Sequence, residues 1–216
     1  MKIFLDTAET DVVRKHWKTG LIDGLTTNPT LIRKSGRNHE EVYQEFKDIG
    51  LTDISMEVIG DKSNMISEGK RLHKKFGKCA TIKVPCTYEG LQACAHLSVE
   101  GIKVNVTLIF SQAQAILAAK AGAKYVSPFV GRVDDNSFGG LCLVKDIATV
   151  YREHMVVKTE VLAASLRGVR DVGRAFEYGA DIVTMPPSVF EGMYNHILTD
   201  KGLDQFDKDY AASIEV

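Results

Sequence analysis

The chain lacks most of the features that would sort it quickly. It has four cysteines, Cys79, Cys86, Cys94 and Cys142, and no C-x-x-C pair, so a zinc ribbon or dithiol redox centre has no motif. The six histidines are scattered without metal-ligand spacing; no metal is expected. Neither G-x-G-x-x-G nor G-x-x-x-x-G-K-S/T occurs, and no cofactor is expected. There is no charge excess: 27 basic and 28 acidic residues leave a formal net charge of -1. Nucleic acid and anionic membrane are therefore not expected partners. Apolar runs are strand-sized, too short to span a bilayer. The N-terminal "MKIFLDTAET" meets an acid at Asp6 and lacks the apolar core of a signal peptide. Reduced thiols and a cytoplasmic location are the expectation.

What is present is a repeat of strand and helix patterns. Eight β-rich runs recur, at 2–7, 23–29, 53–59, 80–85, 102–109, 124–130, 155–164 and 181–186. Between most of them, apolar residues recur at three- and four-residue steps, as in "SQAQAILAAKAG" and "RGVRDVGRAFEYGA". Gly101, Gly122 and Gly179 stand where helices should end. Strand–helix alternation implies parallel βα units, and eight units in 216 residues imply one (β/α)8 TIM barrel over residues 1–216. A doubly wound open sheet is the rival, but the first strand leads into "DTAETDVVRKHW" rather than a glycine-rich turn. The tail, about 188–216, reads as further helices with apolar spacing at Val189, Phe190, Met193, Tyr194 and Ile197, then Phe206 and Tyr210. It exceeds what one closing helix needs, so it either covers the barrel or reaches another subunit.

Lys83 sits between Ile82 and Val84 in "TIKVP", where an ammonium is costly to bury unpaired. On barrel strands, alternate side chains face in. If Ile82 and Val84 face the helices, Thr81 and Lys83 face inward. The same phase turns out Ile54, Met56, Val58, Val104, Val106, Leu108, Val126, Pro128 and Val130. It turns in Phe4, Asp6, Thr26, Asn28, Ser55, Glu57, Asn105, Thr107, Ser127 and Phe129. Asp6, Asn28, Glu57, Lys83 and Thr107 then converge toward the strands' C-terminal ends, where such barrels build active sites. Alone, Asp6 or Thr107 reads as a satisfied polar group, and Lys83 as half of a structural ion pair with Glu57 or Asp6. Together they suit a Schiff-base lysine served by carboxylates that move protons. "GRVDD" (131–135) and "AASLRG" (163–168) add Arg132, Ser165 and Arg167 on loops after the sixth and seventh strands, a set that can grip phosphate. Asp134 and Asp135 read as a turn or an arginine partner rather than a metal site.

The stretches "LDTAE", "GLTTNPTL", "IKVP", "SPFVGRVDD" and "VLAASLR", in this order, closely resemble the transaldolase family, and its short members in particular, over about residues 2–210. The resemblance implies the (β/α)8 fold, with Lys83 as Schiff-base lysine and Asp6 as general acid/base. Glu57 and Thr107 would hold a proton-shuttling water. Asn28 and Ser127 would bind dihydroxyacetone hydroxyls, with Thr26 and Phe129 in the same substrate-binding set. Arg132, Ser165 and Arg167 would hold phosphate. It also implies sugar phosphate substrates, the non-oxidative pentose phosphate pathway, and a homo-oligomer, a pentamer or decamer, whose C-terminal helix reaches a neighbour. Fructose-6-phosphate aldolases of the same family carry glutamine where Glu57 stands and "APY" where "SPF" stands, so transaldolase is preferred and aldolase is the alternative. A silent sugar-phosphate-binding barrel stays open as a third reading.

Overall fold

The computed structural model describes residues 1–154 and 157–214. Eight parallel strands close in chain order: β1 (Lys2–Asp6), β2 (Gly24–Thr26), β3 (Ile54–Glu57), β4 (Ala80–Pro85), β5 (Val104–Ile109), β6 (Tyr125–Pro128), β7 (Glu160–Ala163) and β8 (Ile182–Met185). β8 pairs back onto β1. The helices are α1 (Thr10–Trp17), α2 (Pro29–Ser35), α3 (His39–Ile49), α4 (Lys62–Phe76), α5 (Tyr88–Val99), α6 (Gln112–Lys120), α7 (Val130–Asp135), α8 (Gly140–Glu153), α9 (Val169–Glu177), α10 (Pro187–Gly192) and α11 (Ile197–Ile214). This is the expected (β/α)8 barrel with added C-terminal helices. The strand start expected at Met155 and Val156 lies outside the described residues.

The two-residue period separates two apolar clusters. Leu5, Leu25, Met56, Ile82, Val84, Val106, Val126 and Met185 join the helix-facing core. Phe4, Tyr125, Leu162 and Ile182 fill the barrel interior, with Phe129 packed on them. Complete burial of one such side chain contributes about 1.5–3 kcal/mol, so a one-residue slip of any strand, which would turn the core set into the polar interior and the polar set against the helices, is strongly disfavoured. Gly101, Gly122 and Gly179 all have positive φ just beyond α5, α6 and α9, where a Cβ would be strained.

Two expectations need correction. Leu108 does not continue the outward phase. The β5–β6 register shifts between Val106 and Ile109, Leu108 sits at φ 59, and the fully buried Ile109 joins the helix-facing core instead. A bulge lets the strand bend at the barrel rim. "GRVDD" is not a loop: β6 stops at Pro128, and residues 130–135 form α7.

Candidate active site at the barrel mouth

Strand register creates the central contact. Glu57 and Lys83 are direct partners across β3 and β4, which brings Lys83 Nζ within 2.9 Å of Glu57 Oε2. Nζ also donates to the Thr27 carbonyl oxygen at 3.1 Å. Lys83 is only 5% exposed. A buried ammonium with a carboxylate and a carbonyl is tolerated, and the carboxylate is placed to take its proton.

Asp6 closes β1 opposite this pair. The Thr26 hydroxyl donates to Asp6 Oδ1 at 2.8 Å and lies 2.7 Å from the Thr184 hydroxyl. Since Thr26 has one proton to give, Thr184 donates in turn to Thr26. Burial pushes the Asp6 carboxyl above its ordinary value; Lys83 and the Thr26 hydrogen bond pull it down, and Glu57 adds to the rise. Such a group holds and returns protons more readily than an exposed aspartate.

A hydrogen-bond chain crosses the neighbouring strands. Ser127 Oγ donates to Asn105 Oδ1 at 2.7 Å, and Asn105 Nδ2 donates to Ser55 Oγ at 3.1 Å. Thr107 is buried, and its hydroxyl has no hydrogen-bond partner among the described residues. Asn28 also serves the backbone. Its side chain accepts from the Leu31 N–H at 3.0 Å and caps α2.

A cavity of about 120 Å³ opens over Lys83. Every predicted site residue lines it except Glu57, Thr107 and Arg167. Glu57 reaches Lys83 from the side and also lines a neighbouring groove with Arg33 and Tyr43. Arg167 is exposed and forks onto Asp135 through both terminal nitrogens. Arg132 stands over the Phe129 ring, 4.9 Å from its centroid. Asp134 accepts from the Gly140 N–H at 2.8 Å, so the Asp-Asp pair supplies one turn bond and one arginine partner.

The sequence reading left Thr184, Asn105 and Ala164 out of the site. Alternation in "IVTMP" puts Thr184 in phase with the inward Ile182, and that signal was available. A larger cleft of about 580 Å³ lies on the outer wall between α6 and α8 and holds none of the predicted site residues. Among the described residues, His39, Glu40 and Glu68 could offer three metal-ligand atoms. They lie at the surface, and Arg71 and Lys75 already engage Glu40, holding its carboxyl down at about 2.

Fold and site define a class: a parallel α/β barrel with a buried amine–carboxylate centre at the C-terminal ends of its strands. The chain belongs to the transaldolase/fructose-6-phosphate aldolase family, whose model matches residues 3–215. It is 50% identical over 212 residues to a probable transaldolase of Paracoccus denitrificans, covering 98% of this chain and 97% of that one. It is 51% identical over 214 residues to a probable transaldolase of Caulobacter vibrioides, covering 99% and 98%. With a probable transaldolase of Nitrosopumilus maritimus it shares 49% over 211 residues, covering 97% and 95%. No described helix is long and apolar enough to cross a membrane.

Proposed function

We propose that the protein is a transaldolase that moves a dihydroxyacetone unit from a ketose phosphate to an aldose phosphate through a Schiff base on Lys83. The observation that carries this reading is the buried Lys83 amine, 2.9 Å from Glu57 and beside a cavity that Asp6 also lines. Glu57 takes the ammonium proton, and Nζ attacks the C2 carbonyl of sedoheptulose 7-phosphate or fructose 6-phosphate. Loss of water gives the imine; Glu57, Thr107 and a water shuttle the protons. Asp6 then takes the C4 hydroxyl proton and the C3–C4 bond breaks. Its electrons flow into the imine, leaving an enamine on Lys83, while glyceraldehyde 3-phosphate or erythrose 4-phosphate departs. Attack on a second aldose phosphate and hydrolysis release the new ketose. Asn28 and Ser127 orient the dihydroxyacetone hydroxyls, and Arg132, Ser165 and Arg167 receive the phosphate. This chemistry fits the non-oxidative pentose phosphate pathway and needs no cofactor.

Transfer is preferred over aldol cleavage because Phe129 brings no hydrogen-bonding group to the cavity. A coupled assay for glyceraldehyde 3-phosphate from fructose 6-phosphate tests this choice. Release that depends on erythrose 4-phosphate supports transfer. Equal release without acceptor supports the fructose-6-phosphate aldolase reading instead.

The same reading includes a homo-oligomer. Helix α11 has no buried residue, and Ile197, Leu198, Leu203, Phe206, Tyr210 and Ile214 are all exposed along it. A face this apolar suits a second copy of the chain. Deleting residues 203–216 should lower the number of subunits per particle determined by light scattering; an unchanged oligomer removes the tail from the interface.

A further inference from the structure

Asp135 ends α7, and Arg167 lies on the connection between β7 and α9. Nη1 and Nη2 of Arg167 donate to the two oxygens of Asp135. A guanidinium has five N–H donors. This end-on fork uses two and leaves Nε–H and one hydrogen on each Nη. Nε packs against Gly131: a Cβ built there would lie 2.7 Å from Arg167 Nε and 3.1 Å from Ser165 Oγ. It would also overlap the Ser165 carbonyl oxygen, which already accepts from the Gly131 N–H at 3.1 Å. Ser165 holds φ 60 and lines the cavity over Lys83. Arg167 Nε and the Ser165 hydroxyl thus both lie close over Gly131, an approach that any side chain at residue 131 would block.

We propose that Asp135 is a positioning residue that locks the terminal edge of Arg167, so that its Nε edge is presented beside Ser165 to the phosphate of the substrate. This rests on the phosphate role proposed above for Arg132, Ser165 and Arg167. Asp134 instead accepts from the Gly140 N–H through Oδ1. Arg167 is otherwise a long, exposed side chain with 56% of its surface open, and fixing it beforehand lowers the entropy cost of binding. The Arg167 guanidinium holds the Asp135 carboxyl below its ordinary value, so the fork stays charged at working pH.

The test compares kcat and KM for glyceraldehyde 3-phosphate and unphosphorylated glyceraldehyde as acceptors in the full-length protein. Asp135→Asn should reduce the preference for the phosphorylated acceptor about three- to tenfold, through KM rather than kcat, in keeping with an exposed bidentate pair. Arg167→Ala should reduce it further, and Asp135→Asn added to Arg167→Ala should then change nothing more. If Arg167→Ala leaves the preference intact, the phosphate role of Arg167 falls and this inference with it. If Arg167→Ala lowers the preference but Asp135→Asn does not, only the inference fails. It also fails if Asp135→Asn strengthens the preference, which would make Asp135 a competitor for Arg167, or if its effect persists without Arg167.

Discussion

The barrel holds lysine–carboxylate pairs at both ends, and Lys103–Asp53 at the lower end compares most directly with Lys83–Glu57 at the upper. At the lower end, Lys103 Nζ lies 2.8 Å from Asp53 Oδ2. Thr81 donates to Asp53 Oδ1 and Tyr125 to Oδ2, both at 2.8 Å. Burial and the adjacent Asp53 push the Tyr125 hydroxyl's pKa up, so it stays a donor. At the upper end, Lys83 and Glu57 are 2.9 Å apart, nearly the same separation. Their surroundings differ: Thr107 offers an unpartnered hydroxyl, Asp6 is a second carboxyl raised by burial, and a cavity opens over the amine. A buried ion pair is therefore not by itself a reactive site. The lower carboxylate is held by three side-chain donors; the upper pair stands beside a cavity.

The strongest way to break this comparison is to remove each lysine in turn. Lys83→Met should lower transfer by about 10⁴-fold or more, since a covalent nucleophile has no substitute, with the fold retained at a stability cost for the unpaired Glu57. Lys103→Met should spare the chemistry. It strips one donor from a mostly buried carboxylate, costing about 2 kcal/mol and lowering the thermal midpoint by about 4–8 °C, with turnover per folded molecule retained. Equal activity losses in the two variants would erase the distinction.

Asp6→Asn sharpens it. Turnover should fall by about 10²-fold or more with loss of the general acid/base. Stability should move the other way. A carboxyl whose folded pKa is raised contributes stability below its unfolded value and loses it as pH rises through the folded one. Above the unfolded value, the raised Asp6 carboxyl therefore makes the fold less stable than a neutral side chain would, and Asn should raise the thermal midpoint there. The gain should vanish below the ordinary Asp value of 3.8. A midpoint that falls at pH 7 would mean Asp6 is structural, like Asp53.

The smallest expected effect is one of partition. Phe129 is half-buried and stacks edge-on with Phe110, centroids 6.0 Å apart. Phe129→Tyr adds a hydroxyl, both donor and acceptor, beside the adduct. Release of free dihydroxyacetone from fructose 6-phosphate should rise and transfer to erythrose 4-phosphate fall. An unchanged ratio would remove Phe129 from control of the adduct's fate.

Much of this site was legible because parallel barrels impose one phase on every strand. Ile82 and Val84 orient Lys83, and the same alternation carries Asp6, Thr26 and Ser127 inward. Legibility ended where periodicity ends. The bulge at Leu108 depends on how β5 meets β6, which single-strand alternation does not encode. "GRVDD" is too short to show a helical period, and its partner for Arg167 is set by the approach of α7 to the β7–α9 connection. The lower pair was missed because Asp53 and Lys103 lie at or before their strands' starts, where charges read as solvated ends.

The central claim is that Lys83, rather than any other lysine, forms the covalent intermediate. Borohydride reduction in the presence of fructose 6-phosphate, followed by mass mapping, tests it directly. The account predicts a reduced dihydroxyacetone fragment on the peptide containing "TIKVP" and none in Lys83→Met. An adduct on another lysine, or turnover with no adduct at all, would contradict it.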